Sequence, residues 1–175
     1  MPLQIISGVV SGVYVALNPD YAAPDESFSY GKLSITLTSE FHAVIRTDYS
    51  LEIQSTTGNI VSIDEYDYVY SNFAPENTLE EQAEVIRREI IKASEEDLES
   101  VIVNVTEVKS EDGIVYFTYD FGAVIVIRYL VSFYMDDENV WVVYFACPSL
   151  AYDTYLPYFK KWAGSVVIDD SDSAV

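Results

Sequence analysis

Between Val101 and Phe145 four apolar runs rich in β-branched and aromatic residues follow one another with only turn residues between them. The runs are Val101 to Val108, Ile114 to Tyr119, Ala123 to Tyr134 and Val140 to Phe145, separated by SEDG, DFG and DDEN. Linkers this short cannot carry a crossover helix, so the four strands are expected to pair antiparallel as a meander. Within the third run, Ala123 to Ile127 is apolar at successive positions. That pattern predicts a central strand covered on both faces, and therefore helices on at least one side of the sheet.

The remaining segments supply strands before the meander and a helix on either side of it. Leu33, Ile35 and Leu37 alternate with polar residues as a strand with one wet face does, and Phe41 to Arg46 and Leu51 to Ser55 read as further short strands. Thr56 to Asn59, TTGN, is a hairpin-type turn into Ile60 to Ser71, a strand on which Tyr66, Tyr68 and Tyr70 would share one face. Asn18 to Lys32, with Pro19, Pro24 and Gly31 and no periodicity, reads as a loop. The apolar N-terminus has no Lys or Arg ahead of it and is broken by Gly8 and Gly12, so a strand pair fits it better than a signal peptide or a spanning helix. A cytoplasmic location follows, with a chain trimmed of a secretory leader as the alternative.

The long helix starts at a capping box between Asn77 and Glu80. Leu79, Ala83, Ile86 and Ile90 then form one apolar stripe, while Glu80, Glu81, Glu84 and Glu89 with Arg87 and Arg88 form a wet face on which Glu84 pairs with Arg88. A second helix, capped by Asp153 with Pro157 in its first turn, places Tyr155, Phe159, Trp162 and Ala163 on one face. Lys160 and Lys161 point away from that face and offset the carbonyl ends of the helix. Residues 1–168 read as a single domain and 169–175 as an acidic, disordered tail.

The order of a TLEE helix, a four-strand meander and a helix carrying Asp153, Tyr155, Pro157 and Phe159 before Ser165, Val166, Val167 and Ile168 resembles the PsbP/Mog1/DcrB-like family. In that family the last helix commonly reads like DEYKPLFEKILKSF. The resemblance covers about half the chain, Asn77 to Ile168, and the N-terminal half lacks a clear P-x-x-W, with LTSEF a distant stand-in. It implies an α+β fold in which an antiparallel β-sheet is flanked by helices, an α/β/α sandwich. Known members are mostly accessory or binding proteins: a photosystem II extrinsic subunit, a regulator of the Ran GTPase, and chaperones for secreted toxins.

Charge narrows the partner class. Twenty-nine acids against nine Lys plus Arg give a net charge of -20, which disfavours nucleic acid and anionic membranes and favours a basic protein, unless the acidity is an adaptation to high salt. The only histidine, His42, lies mid-strand, and Cys147 lies in the apolar run VVYFACPSL as a core residue. Neither supports a nucleophile or a zinc site. No phosphate-binding glycine motif is present, and neither DDEN nor DDSD has the glycine and glutamate of an EF-hand. No catalytic residue, metal or cofactor is expected. Asn104 in NVT is a glycosylation sequon placed inside a strand.

The leading expectation is a non-enzymatic protein that binds another protein through the sheet face or the acidic helix. Its contact residues would include Tyr66, Tyr68 and Tyr70, which lie beside Asp64 and Asp67, and Glu80, Glu81 and Glu84, with Tyr116 and Tyr119 adding rings to the same acidic surface. Two alternatives come from other classes. One is an acidic mimic of DNA that inhibits a nucleic-acid enzyme, and the other is a hydrolase using a carboxylate pair.

Overall fold

A computed structural model describes residues 25–56, 58–96 and 101–169. The strand pair read around Gly8 and Gly12, and the tail from 170 onward, lie outside them. The chain runs β1 (Asp25–Tyr30), β2 (Leu33–Thr38), β3 (Phe41–Arg46), β4 (Ser50–Ser55), β5 (Ile60–Asp67), α1 (Leu79–Glu96), β6 (Ile102–Val103) and β7 (Lys109–Glu111). It continues with β8 (Ile114–Phe121), β9 (Ile127–Met135), β10 (Asn139–Pro148), a 3-10 turn (Ser149–Ala151), α2 (Tyr152–Ala163) and β11 (Val167–Ile168).

The strands form two antiparallel sheets. The smaller has the order β1-β2-β11; the larger runs β3-β4-β5-β10-β9-β8-β6, with β7 also paired to β8. Helix α2 and the small sheet cover one face of the large sheet, where Leu33, Ile35 and Leu37 meet Ile53, Ile63, Trp141, Phe145, Phe159 and Trp162. Helix α1 covers part of the other face through Ala83, Ile86 and Ile90 against Phe117, Phe133 and Val142. The expected meander is present as β8-β9-β10.

Six local expectations are corrected. Residues 25–30 are a strand, not loop: they pair with β2 across the Gly31 turn, and Tyr30 is drawn into the core by packing that the two prolines upstream obscured. Gly31 has φ 57, the left-handed conformation a two-residue hairpin needs. Val101–Val108 is not one strand. It breaks at Asn104, whose φ of 54 takes it off the ladder while its Nδ2 donates to Asp120 Oδ2 at 2.8 Å, leaving Ile102–Val103 paired with β8 and the next short strand, Lys109–Glu111, beyond the run.

The apolar run at Ala123 is not a doubly covered strand. The β8–β9 pairing ends at Phe121 and Ile127, and Val124 is 97% exposed on the connecting loop. Gly122, with φ 115, lies so close to the Ile125 carbonyl that a Cβ there would sit 2.2 Å from its oxygen. The strand buried on both faces is β10 instead, with Trp141, Val143 and Phe145 on the α2 side and Val140, Val142 and Tyr144 on the α1 side. At α1 the capping box is one residue later than expected. The Thr78 amide donates to Glu81 Oε2 at 2.8 Å and the Glu81 amide to Thr78 Oγ1 at 3.3 Å, a shorter hydroxyl closing the turn where Asn77 was expected.

Helix α2 begins at Tyr152, straight from the 3-10 turn, so Asp153 lies within its first turn and Pro157 in its interior. The missing amide hydrogen of Pro157 leaves the Asp153 carbonyl without an intrahelical donor. The packing of Tyr152 and Ala151 sets this earlier start. The last correction concerns Tyr116 and Tyr119, which are buried and lie on opposite faces of the sheet.

Both helix lysines have partners. Lys160 Nζ is 2.9 Å from Glu111 and 5.3 Å from the Tyr116 ring centre, and Lys161 Nζ is 3.5 Å from Asp25. Asp136, in the DDEN turn, accepts the amides of Glu138 and Asn139 at 2.7 and 2.8 Å and bonds Lys32 at 3.1 Å. Edge strand β3 carries a register shift between Ala43 and Ile45, a β-bulge.

Trp162 seats α2. Its ring meets Phe41 edge-on at 5.0 Å and lies 5.9 Å from Phe159, and the side chain is 1% exposed. Trp162→Ala is expected to lower unfolding free energy in urea by about 3–5 kcal/mol, the range for deleting a buried aromatic. A loss under about 1 kcal/mol would mean that α2 docks by other contacts.

Candidate functional site

Helix α1 lies across β6, β8 and β9. On the same side of the sheet the outward residues of β4 are half-exposed, as are Asp64 and Tyr66 on β5, while Ser62 between them and Ile60 is buried. Ser50, Glu52 and Gln54 alternate with the buried Leu51, Ile53 and Ser55. Strand register then fixes which side chains share this face. Glu52 pairs with Ser62, and Ser62 with Tyr144; Ser50 pairs with Asp64, and Asp64 with Val142. Ile45 on β3 pairs with Glu52 and is 52% exposed. Beside this floor stand Tyr66 on β5, Tyr119 on β8, Tyr129 on β9 and Tyr144 on β10. The Tyr119 and Tyr129 rings are stacked, with centres 4.7 Å apart and planes 4° apart.

Asp64 is the electrostatic centre of this group. Burial raises its carboxyl from 3.8 to about 6, and the hydroxyls of Ser62, at 3.4 Å, and Tyr66 oppose the rise. Tyr66, Tyr119 and Tyr144 are all held above the usual phenol value, first by burial and then by neighbours that include the charge of Asp64. Burial also raises Tyr129, with Glu52 adding to it, and Glu89 of α1 adds to Tyr66. The tyrosines are therefore neutral hydroxyls around a partly desolvated carboxylate. Such a face can accept hydrogen bonds and hold a cation.

Nucleophilic chemistry is not built into it. Burial pushes the Cys147 thiol up to about 12, and the residue faces the α2-side core. His42 is exposed on β3. Among the described residues, no three His, Cys, Asp or Glu side chains are placed to hold a metal ion.

Of the six residues expected from sequence, only Tyr66 joins this group, with its ring 5.2 Å from Phe73 in an edge-on contact. Strand β5 ends at Asp67, so Tyr68 and Tyr70 do not continue its face. The Tyr68 hydroxyl donates to the Asp136 carbonyl at 3.3 Å, whereas Tyr70 is 79% exposed on the following turn. Glu80 and Glu81 lie at the start of α1, Glu81 engaged in the capping box. Glu84 is held by Arg87 at 3.2 Å and Arg88 at 4.0 Å. Tyr129, Tyr144 and Glu52 went unread, and Asp64 counted only as a neighbour of the tyrosines. They come together only through strand register across four strands, which spacing along one chain does not express.

No protein-family model matches the sequence, and no curated protein matches it. Solved structures do match. The solution structure of cyanobacterial PsbP (CyanoP) from Synechocystis sp. PCC 6803 aligns with a TM-score of 0.58 and 15% identity, over 84% of this chain and 94% of its own. The Saccharomyces cerevisiae Ran-binding protein Mog1p aligns with a TM-score of 0.55 and 9% identity, over 86% of this chain and 98% of its own. The chain thus has the α+β, PsbP/Mog1-like fold that the sequence resemblance implied. Among the described residues no helix is long and apolar enough to cross a membrane.

Asp64 is bonded by Ser62 and Tyr66, its charge acts on Tyr66, Tyr119, Tyr144 and Tyr30, and among the described residues no Lys, Arg or His acts on it. Its folded pKa lies above the unfolded value, so it contributes no deficit below about pH 4 and a growing one as pH rises through 6. Asp64→Asn is expected to raise stability by about 1–2 kcal/mol at pH 7.5, the gain fading by about pH 4. Paired melts across that range check it; a gain independent of pH would contradict the assignment.

Proposed function

We propose that this chain is a non-enzymatic binding protein that holds a basic segment of another protein on the open half of its large sheet. The observation that carries the reading is the half-exposed carboxylate and tyrosine face over β4 and β5, left beside α1 and centred on the desolvated Asp64. Tyrosine offers contact area with a polar tip at little entropic cost, and a net charge of -20 steers a basic partner toward the surface. The likeness to a Ran-binding protein supports a protein partner as the class. Tyr70 and Glu80, exposed at the β5–α1 end, would extend the contact.

Crosslinking in the native host, followed by hydrogen exchange on the purified pair, tests this. Protection is expected on β3, β4 and β5, and protection confined to the α2 side would refute the proposed surface. Affinity should fall at least tenfold as salt rises from about 0.01 to 0.15 M, because the Debye length shortens from about 30 to 8 Å. A constant affinity would remove the electrostatic part.

A further inference from the structure

The half-buried Asp64 lacks what the buried Asp120 has. Asp120 receives the Arg128 guanidinium at 2.5 and 2.7 Å, and that same guanidinium lies 5.2 Å from the Tyr152 ring centre. Carboxylate, guanidinium and tyrosine ring thus form one unit on the α2 side. On the α1 side the carboxylate and the rings are present and the guanidinium is missing. Among the described residues no basic side chain acts on Asp64. On the α1 side Arg87 pairs with Glu84 and Glu107 and Arg88 with Glu84, and on β3 the Arg46 guanidinium donates to the Ser29 carbonyl.

The neighbouring hydroxyls point the same way. Tyr119 is 9% exposed, feels the charge of Asp64, and makes no hydrogen bond among the described residues, although its ring is stacked on Tyr129. A half-buried carboxylate with no counter-charge and a tyrosine whose hydroxyl bonds no other group, both among the described residues, share one face. A planar guanidinium meets both, since it donates in several directions, stacks on aromatic rings and sheds water more easily than an ammonium.

We propose that the face bounded by Asp64, Glu52 and the stacked Tyr119 and Tyr129 is a receptor for a single arginine side chain carried by the protein partner. This rests on the binding function proposed above and specifies its central contact. The arginine would complete on the α1 side the arrangement that Arg128 completes on the other.

The test uses the full chain, isotope-labelled, titrated with N-acetylarginine amide and followed by NMR at pH 7.5. Saturable shifts are expected at Ser62, Asp64, Tyr119 and Tyr144, weaker ones with the blocked lysine amide, and none with the blocked, uncharged citrulline amide. Asp64→Asn should abolish the saturable shifts while melting no lower than the parent, and Glu52→Gln should weaken them. Glu111→Gln, at an acid paired with Lys160, should leave them unchanged. Citrulline binding as well as arginine, or shifts that spread over the acidic surface or persist in both Asp64→Asn and Glu52→Gln, would overturn the proposal. If a captured partner still protects β3 to β5 with undiminished affinity for Asp64→Asn, the arginine site is wrong and the binding surface stands.

Discussion

Strand β10 runs through the middle of the large sheet with every residue from Val140 to Cys147 buried, and the rest of the structure is arranged to make that possible. Its amides and carbonyls are met on one side by β5 and on the other by β9, so no backbone polar group is stranded in the interior. Its side chains alternate between two cores, and each core needs its own cover. Aromatic α2 with the small sheet serves one, and α1 the other. A chain with one such strand cannot leave either face of the sheet centre to water.

The two covers are unequal, and this asymmetry places the candidate site. On the α2 side, the small sheet extends the cover beyond the helix as far as β4, where Leu51 and Ile53 are buried. On the α1 side the helix lies mainly over β6, β8 and β9 and reaches Val142 of β10, so the outward residues of β4 are free to be polar. Basic residues are scarce and several are used as clamps between elements: Lys32 ties the β1–β2 turn to the β9–β10 hairpin, and Lys160 ties α2 to β7. The open face is left with acids and phenols.

Much of the architecture was legible because local pattern and tertiary need agreed. The stripe of α1, the aromatic face of α2 and the alternation of Leu33, Ile35 and Leu37 each match the buried set. Reading failed where one residue in an unusual conformation redirected a segment. Asn104 and Gly122, both with positive φ, broke one expected strand and turned part of another into a loop, and apolar content alone made Ala123 to Ile127 look interior. The site was less legible than the fold. Tyr66 was found on its own strand, but Asp64 acquires meaning only beside Tyr119, Tyr129 and Tyr144, which the sheet brings from three other strands.

The bulge in β3 bears on how such a molecule stays dispersed. An edge strand with exposed Val44 and Ile45 offers a ready template for another chain to add to its ladder. The extra residue between Ala43 and Ile45 throws the row of donors and acceptors out of step, so a straight neighbouring strand cannot zip along it. Lateral stacking into fibrils is thereby checked by geometry as well as by repulsion between like-charged copies, and the rim can remain greasy without becoming adhesive.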